Sequence, residues 1–298
     1  MSLYGIIGDN KEKILRYRYI LIAILAIIII LLIIFIGVII KSNNRKENNN
    51  RISQDETNKE QEAMLIELDK KKKEEEERAK EKQEEENAKG IIYLTFDDGP
   101  SSDITPQILD ILEQKKIKAT FFVVNYSNQN EELIKREANT GQTIGLHGYT
   151  HTYSEVYQST DTCMENFKKI QEKVMQATGK KSNIIRFPGG SSNTVSKKYC
   201  EGVMTDLTQR VVNEGFKYFD WNVDSNDAGN AKTSEDVYNN VISGIKENRR
   251  NVVLMHDFTK NEKTVNALSS IIDYGLENGY VFRKITDETP MVTHSVNN

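Results

Sequence analysis

The sequence is poor in cysteine and tryptophan and carries no surplus of positive charge. Its two cysteines, Cys163 and Cys200, allow at most one disulfide, and the sequence is consistent with either one bridge or two free buried thiols. The formal net charge is −4, and the foldable part contains no basic patch. We therefore expect no nucleic-acid partner, because nucleic-acid binding requires clustered positive charge.

Histidine is also scarce, yet three of the four histidines lie in short motifs. His147 and His151 are four residues apart in one motif, His256 ends an apolar run, and the fourth histidine lies near the C-terminus. Two adjacent aspartates, Asp97 and Asp98, close another apolar run upstream. Two imidazoles and a carboxylate can bind a metal ion and leave positions open for water and substrate. These residues indicate a metal-dependent hydrolase.

Residues 19–40 form an uncharged, continuously apolar run. As a helix this run spans roughly 30 Å, which is the thickness of the hydrocarbon core of a bilayer. A buried core helix would carry a polar stripe, and a cleaved signal peptide would have a shorter apolar region followed by a small-x-small cleavage site. The sequence has neither a polar stripe nor such a site. We therefore predict a single transmembrane anchor in contact with the lipid bilayer.

Residues 41–89 have a different composition, Asn-rich at first and then built from blocks of lysine and glutamate. Almost no apolar residue follows Leu68, so this segment cannot bury a core of its own. Opposite charges spaced i,i+4, as in Lys70 and Glu74, favour a solvated helix, whereas the apolar heptads of a coiled coil are missing. We predict a charged linker, helical or disordered, that acts as a spacer.

Residues 90–290 are long enough for one folded domain, followed by a short tail at 291–298. Short apolar runs alternate with amphipathic patterns. The predicted strands are 91–96, 119–124, 143–146, 183–187, 217–221 and 251–255, and the predicted helices are 105–116, 130–139, 160–178, 196–214, 234–248 and 264–278. This alternation predicts an α/β fold with parallel strands, and six or more such units favour a closed barrel over an open sheet.

The chemical motifs all fall where a predicted strand ends. In a (β/α) barrel the carboxyl ends of the strands form the face on which active sites assemble. Residues scattered along the chain are thereby expected to meet at one mouth.

Five motifs occur in the order that is typical of one enzyme family. They are Thr95-Phe96-Asp97-Asp98-Gly99, His147-Gly148-Tyr149-Thr150-His151, Arg186-Phe187-Pro188-Gly189-Gly190, Asp224-Ser225-Asn226-Asp227 and Leu254-Met255-His256. With them the sequence resembles the polysaccharide deacetylases of carbohydrate esterase family 4, which share the chitooligosaccharide deacetylase homology domain, and among these the membrane-anchored bacterial peptidoglycan deacetylases. The resemblance covers 91–289. It implies a distorted (β/α) barrel that removes N- or O-acetyl groups from polysaccharides with the help of a divalent metal.

The resemblance assigns Asp98, His147 and His151 to the metal. The chemistry of the residues agrees, because two imidazoles and one carboxylate leave positions open for a water and a substrate oxygen. Zinc is the expected ion, although cobalt, nickel or iron also suit this ligand set.

The resemblance also implies an acid and a base. Asp97 would be the general base, since a carboxylate neutralised by a metal is a poor one, and Arg186 would hold it ionised and oriented. His256 would be the general acid. A buried histidine needs a partner that fixes its tautomer and stabilises its cation, and Asp227 is the expected partner, with Asp224 as the alternative.

The substrate region departs from the family pattern at two positions. The third motif often has tyrosine after its proline, whereas this chain has Gly189, whose N–H would contact the oxyanion. The fourth motif usually ends Asp-Trp, whereas Ala228 stands here. Trp221 could line the floor of the substrate region or pack in the core, and we favour the core. The polar loop that begins at Asp224 could contact sugar hydroxyls or be an ordinary solvated loop.

The expected function is removal of N-acetyl groups from cell-wall or surface polysaccharide, with the amino sugars of peptidoglycan as the preferred substrate. Two alternatives remain at this point: an O-acetyl esterase acting on xylan or another carbohydrate, and a non-catalytic sugar-binding module on the same scaffold. A zinc protease is excluded, because Gly148 stands where such enzymes have glutamate after the first histidine.

The location follows from this substrate. Basic residues flank the predicted anchor on both sides in near-equal number, so the positive-inside rule does not orient it. Since a wall polymer lies outside the cell, we expect residues 1–18 to form a short cytoplasmic tail and the catalytic domain to be extracellular, held at the cell membrane by one span.

Overall fold

A computed structural model describes the backbone of residues 3–298 and the side chains of residues 13, 15–46 and 59–298. Residues 1 and 2 of the predicted cytoplasmic tail lie outside the described residues. The chain divides into two compact units, of which the second is Lys80–Asn298. Each unit is described by itself.

The first unit is helical. Its described residues lie within helix α1 (Leu3–Asn87), whose last turns belong to the second unit. Leu15–Lys46 is the one described segment that is long and apolar enough to cross a membrane, and it includes the predicted anchor. The charged linker is helical rather than disordered, with Lys71 lying 2.9 Å from Glu67 and Lys70 lying 3.9 Å from Glu74.

The second unit contains eight strands and seven further helices among the described residues. The strands are β1 (Ile91–Asp97), β2 (Thr120–Val124), β3 (Thr143–Gly148), β4 (Ile184–Ile185), β5 (Lys217–Tyr218), β6 (Val223–Asp224), β7 (Arg250–His256) and β8 (Val281–Phe282). The helices are α2 (Thr105–Lys115), α3 (Glu131–Asn139), α4 (Tyr153–Val156), α5 (Thr160–Thr178), α6 (Val203–Asn213), α7 (Ser234–Gly244) and α8 (Glu262–Glu277).

All strand pairings are parallel, in the order β5-β4-β3-β2-β1-β7-β6, and β8 pairs with the start of β1. The ring is closed by residues 217–224, an extended segment whose first residues pair with β4 and whose last residues pair with β7. The N–H of Phe219 still bonds β4, whereas the N–H of Asn222 already bonds β7. One segment that changes partners midway makes the fold a distorted (β/α) barrel, as predicted.

The strands present alternate side chains to the barrel interior and to the surrounding helices. In β1, Tyr93 belongs to a small interior cluster, whereas Leu94 joins the large cluster beneath the helices. Strand β7 alternates in the same way, with Val252 inside and Val253 outside. The last residues of both strands therefore share the interior face of the barrel.

Some predicted bounds differ from the structure. The predicted helix 196–214 is a 3-10 turn (Val195–Lys198) followed by α6, because Gly202 adopts a φ of 77° and separates the two. Strands β6 and β8 were not predicted, since two-residue strands carry no periodic signal. Helix α5 has the predicted bounds.

Residues 291–298, predicted to be a tail, lie against the segment that closes the barrel. The N–H of Asp220 donates to the carbonyl of Val292 (2.8 Å), and the N–H of His294 donates to the Asp220 carboxylate (2.7 Å). The carbonyl of Asn298 accepts a hydrogen bond from α6 (2.8 Å). Exposed and half-buried residues alternate along this segment, as they do in an extended chain with one face on the protein.

Both cysteines are free thiols. Cys163 is buried in α5, and Cys200 is half-buried. Burial raises the pKa of the Cys163 thiol, which keeps it protonated and lets it pack as a small apolar side chain. The structure thus supports two free thiols rather than a bridge.

Candidate metal centre and active site

The motif residues meet at the carboxyl ends of the strands. Asp97 and His256 are the last residues of β1 and β7, His147 is the penultimate residue of β3, and Arg186 directly follows β4. Strand alternation places all four on the interior face. The barrel mouth predicted from the sequence is therefore present.

Asp98, His147 and His151 form a set of ligands. Oδ1 of Asp98 lies 3.7 Å from Nε2 of His147 and 3.7 Å from Nε2 of His151, and the three donor atoms lie within 4.8 Å of one another. Oδ1 of Asp98 is buried and accepts no hydrogen bond from a described residue. An unpartnered buried carboxylate oxygen beside two imidazoles fits a divalent cation.

Asp98 reaches the mouth through its backbone. On a regular strand it would point away from Asp97, but its φ of 72° breaks the alternation at the end of β1. Left-handed conformations are uncommon for residues other than glycine. This local departure lets two adjacent carboxylates face the same site.

The tautomer of His147 is set by its neighbour. Its Nδ1 lies 2.8 Å from the carbonyl oxygen of Arg186. A carbonyl only accepts, so Nδ1 carries the proton and Nε2 has a free lone pair for a metal. At His151, burial and the charge of His147 lower the pKa and favour the neutral form that binds metals, although Asp98 and Asp97 oppose this.

Asp97 is held by a fully buried cation. Nη1 of Arg186 donates to Oδ1 of Asp97 (2.7 Å) and to Oγ1 of Thr95 (2.7 Å), and the guanidinium also donates to the carbonyls of Phe219 (2.9 Å) and Asp220 (3.1 Å). These contacts fix the orientation of the Asp97 carboxylate. Its other oxygen, Oδ2, is left facing the ligand set, 3.7 Å from His147.

His256 pairs with Asp227 and not with Asp224. Nδ1 of His256 lies 2.7 Å from Oδ1 of Asp227, and the N–H of His256 donates to Oδ2 of the same carboxylate (2.8 Å). Asp224 is exposed and accepts from the N–H of Asn226 in its own turn (2.7 Å). Burial lowers the pKa of His256, but the hydrogen bond and charge of Asp227, with Asp97 and Asp98, outweigh it and raise the pKa to about 9.

The third motif forms a tight turn at the mouth. The N–H of Gly190 donates to the carbonyl of Phe187 (2.8 Å), and Gly189 has a φ of 76°. Proline at the second position and glycine with positive φ at the third are typical of a type II turn. Gly189 is exposed, and its N–H donates to no residue that the structure describes. That N–H is free to contact a ligand.

Trp221 lies beside this turn. It is half-buried and packs against the interior cluster, with its ring 4.9 Å from that of His294 and 5.8 Å from the guanidinium of Arg186. A Cβ built on Gly190 would lie 3.1 Å from the indole. These contacts support the predicted packing role.

Several residues around the site carry no motif signal. Thr264 and Asn261 of the α8 region donate to Oδ2 of Asp227 (2.6 and 2.9 Å). Asn166 of α5 bonds both the N–H and the carbonyl of Thr150 (2.8 and 3.0 Å). Thr95, by contrast, belongs to the first motif, and its position two residues before Asp97 on a strand predicts that both side chains share one face.

A further carboxyl group, Asp257, lies behind the first motif. It is buried and accepts from the hydroxyl of Thr105 (2.6 Å), and a Cβ on Gly99 would lie 2.0 Å from its oxygen. Burial raises the pKa of Asp257 to about 7, as do the charges of Asp98 and Asp97, although the Thr105 hydrogen bond opposes this. Gly99 is thus required by close packing.

Known proteins share this sequence and fold. The family model described as polysaccharide deacetylase matches residues 84–203. A peptidoglycan-N-acetylglucosamine deacetylase of Bacillus cereus is 32% identical over 206 residues, which cover 67% of this chain and 70% of that protein. The peptidoglycan-N-acetylglucosamine deacetylase PgdA of Listeria monocytogenes is 34% identical over 197 residues, 66% of this chain but 38% of that longer protein.

A solved structure gives the same result. The catalytic domain of peptidoglycan N-acetylglucosamine deacetylase from Eubacterium rectale superposes with a TM-score of 0.66 at 43% identity, covering 70% of this chain and 94% of that one. Sequence relatives, fold and five ordered motifs agree: the chain belongs to the polysaccharide deacetylase family, carbohydrate esterase family 4, whose peptidoglycan deacetylases are hydrolases acting on carbon–nitrogen bonds other than peptide bonds.

Proposed function

We propose that this protein is a metal-dependent deacetylase that hydrolyses N-acetyl groups of cell-wall polysaccharide, with peptidoglycan amino sugars as the substrate. The observation that carries the proposal is the arrangement at the barrel mouth. A carboxylate–diimidazole ligand set lies at the same mouth as Asp97, which is held by an arginine, and its strand neighbour His256, which is held by an aspartate. A base and an acid beside a metal site are the groups that amide hydrolysis requires.

Asp98, His147 and His151 hold the metal in this proposal, with zinc as the expected ion. When bound, a divalent metal polarises the acetyl carbonyl and lowers the pKa of water. The free lone pair on Nε2 of His147 and the unpartnered Oδ1 of Asp98, with Nε2 of His151 3.7 Å from that oxygen, support this assignment.

Asp97 acts as the general base at its Oδ2 atom. Because Arg186 occupies Oδ1, Oδ2 is the oxygen available to take a proton from the attacking water. The water oxygen then bonds to the acetyl carbon. The arginine also fixes the orientation of the carboxylate, so the base is in place before the substrate binds.

His256 acts as the general acid at its Nε2 atom. Asp227 holds Nδ1 and stabilises the imidazolium, which leaves Nε2 to deliver a proton to the departing nitrogen. As the carbon–nitrogen bond breaks, the products are acetate and a free amine on the sugar. The N–H of Gly189 stabilises the negative charge that develops on the carbonyl oxygen.

The relatives and the apolar helix support the choice of polymer. Two sequence relatives and one solved structure are named as peptidoglycan-N-acetylglucosamine deacetylases. Residues 19–40 act as a single-pass anchor, and 41–89 act as a spacer that holds the catalytic unit at the outer face of the cell membrane. A fixed enzyme suits a fixed, nearby polymer better than a diffusible one.

Acetate release tests the proposal. The full chain, purified in detergent, is incubated with N-acetylated peptidoglycan, chitooligosaccharides and acetylated xylan, each with and without a chelator. We expect acetate from peptidoglycan, lost with chelator and restored by zinc. Acetate from xylan alone would make the protein an O-acetyl esterase, and no acetate from any polymer by the metal-loaded protein would favour a sugar-binding role.

A further inference from the structure

The turn that carries the Gly189 N–H contacts two tyrosines outside the five motifs. Both lie just after the loop 149–152, which carries His151 and is called the metal-ligand loop below. Tyr153 begins α4, and Tyr157 follows the end of that helix. Their rings contact each other in a tilted arrangement, with centroids 5.5 Å apart, and the ring of Tyr153 packs edge-on against that of His151 at 5.7 Å. The two tyrosines thus connect the metal ligands to the turn.

Tyr157 fixes the orientation of the turn. It is fully buried, and its hydroxyl donates to the carbonyl oxygen of Pro188 (2.7 Å). In a trans peptide the carbonyl of Pro188 and the N–H of Gly189 point in opposite directions. A hydroxyl that holds the carbonyl towards the protein therefore turns the N–H outward, where Gly189 is exposed.

Tyr153 brings a second donor to the same place. A Cβ built on Gly189 would lie 2.1 Å from the hydroxyl oxygen of Tyr153, so this oxygen lies over the glycine. Tyr153 is half-buried, and its hydroxyl bonds no residue within the described part of the chain. The space that a side chain at position 189 would fill is thus occupied by a free hydroxyl beside the metal-ligand loop.

We propose that the Tyr153 hydroxyl and the Gly189 N–H together bind the carbonyl oxygen of the acetyl group, and that Tyr157 is the positioning residue for this pair. The inference rests on the proposed function and adds a substrate-contacting residue to it. Two pre-aimed donors stabilise a developing oxyanion more than one. Position 189 requires glycine for two reasons. The turn has a positive φ there, and a side chain would clash with the hydroxyl of Tyr153.

Tyrosine-to-phenylalanine substitutions in the full chain test the proposal, since they remove only the hydroxyl. Tyr153→Phe is expected to lower kcat by about 100-fold, as removal of one oxyanion donor does, with KM and bound zinc unchanged. Tyr157→Phe is expected to lower kcat by about tenfold with KM unchanged. The value of kcat is calculated per folded, zinc-loaded protein, so that a general loss of folded protein does not produce this change. Tyr238→Phe, on α7 and packed against Tyr274, is the matched control.

Acetohydroxamate binding gives a second readout that needs no turnover. The zinc-loaded chain is titrated calorimetrically with this probe, whose carbonyl oxygen stands in for that of the acetyl group. Tyr153→Phe is expected to weaken binding by roughly tenfold or more, the effect of one hydrogen bond to a charged group, and Tyr238→Phe to leave it unchanged.

The two readouts separate the inference from the proposed function. Wild-type kcat and wild-type acetohydroxamate affinity in Tyr153→Phe would overturn the inference while the deacetylase stands. Acetohydroxamate binding that depends on Tyr153, in a wild type that releases no acetate, would support the inference and count against the polymer substrate. Failure of the zinc-loaded wild type to bind the probe or release acetate would reject both.

Discussion

Two adjacent aspartates acquire different properties from their neighbours. Asp97 is tied through one oxygen to the buried Arg186, whereas Oδ1 of Asp98 is buried without a partner beside two imidazoles. The first carboxylate keeps a basic oxygen, and the second is suited to a cation. The surroundings of each carboxylate, rather than its residue type, determine whether it suits the role of base or of metal ligand.

Asp97→Asn should separate metal binding from turnover. The ligands remain, so bound zinc is expected to stay near one per chain, while acetate release falls by about 100- to 10,000-fold with loss of the base. Zinc is measured by atomic absorption and acetate by a coupled assay. His147→Ala is the contrasting variant, expected to lower zinc content itself. Undiminished turnover by Asp97→Asn at full zinc would show that another group is the base.

The pair His256–Asp227 predicts a pH dependence. A general acid works only when protonated, so kcat/KM is expected to hold below the pKa of about 9 and to fall as pH rises through it. Asp227→Asn removes the charge that raises this pKa, so the alkaline fall should move to lower pH. Asp224→Asn is the comparison, since that exposed carboxylate has no contact with His256. A fall at the same pH in all three proteins would disprove the pairing.

At this scale the motif residues were predicted and their supports were not. Asp97, Asp98, His147, His151, Arg186 and His256 are recognisable by type and position after apolar runs. Asn166 and Thr264 look like ordinary helix residues in the sequence. Their contacts with the site arise only from packing of α5 and α8 on the barrel.

Helix α5 holds the loop that follows β3 and carries His151. The Asn166 side chain bonds the N–H and the carbonyl of Thr150, one residue before His151, and a Cβ on Gly148 would lie 2.4 Å from its amide nitrogen. The backbone conformation of the loop is therefore fixed by its contacts with Asn166 of α5. The ligand His151 is thus positioned by a helix that contributes no ligand itself.

Asn166→Ala should weaken metal binding without touching a ligand. We expect the zinc dissociation constant to rise about 10- to 100-fold, as with loss of other groups that orient ligands. Zinc affinity is measured by competition with a chromophoric chelator. Gln176→Ala, on the exposed side of the same helix, should leave it unchanged. Equal affinities in all three proteins would mean that the loop holds its shape unaided.

The C-terminal segment 291–298 closes the side of the barrel where one strand changes partners. Nε2 of His294 lies 2.6 Å from the carbonyl of Trp221, and its Nδ1 lies 3.0 Å from the hydroxyl of Ser192. The segment thus ties residues 219–222 to the loop that follows the third motif.

His294→Ala is expected to lower the free energy of unfolding by about 1–2 kcal/mol, from two lost hydrogen bonds and a ring contact. Urea denaturation of the unit Lys80–Asn298, which has its own core, measures this change. Ser295→Ala, exposed beside it, should change stability by less than about 0.5 kcal/mol. A His294 variant as stable as wild type would show that the segment is merely laid on the surface.

On the scale of the whole molecule, a helix long and apolar enough to cross a membrane and a hydrolase barrel occur in one chain. The most apolar stretch of Leu15–Lys46 is fully exposed, as the surface of a helix that contacts lipid must be. The charged residues that follow cannot insert, so only one span is expected.

Removal of 19–40 should change where the protein is found. The full chain is expected in the membrane fraction, resistant to high salt and released by detergent, and the variant without 19–40 in the soluble fraction. A variant lacking 59–79 should stay in the membrane, since it loses only spacer. Fractionation followed by immunoblotting decides this, and salt-extractable full chain would reject an anchor.

The sequence by itself determined the features encoded locally or by residue type. Alternating apolar runs and amphipathic patterns specified parallel strands with helical crossovers, and the ordered motifs specified the family and the residues at the mouth. These features can be recognised in the sequence because hydrophobic periodicity and side-chain chemistry are properties of short stretches of chain.

Tertiary structure decided what depends on contacts between distant residues. It chose Asp227 over Asp224 as the partner of His256, 29 residues away, and placed Tyr157 on the carbonyl of Pro188, 31 residues away. It also left both cysteines unpaired and laid the C-terminal segment on the barrel. No periodic pattern or motif carries such pairings, since they arise only when the closed ring brings separate strand ends to one face.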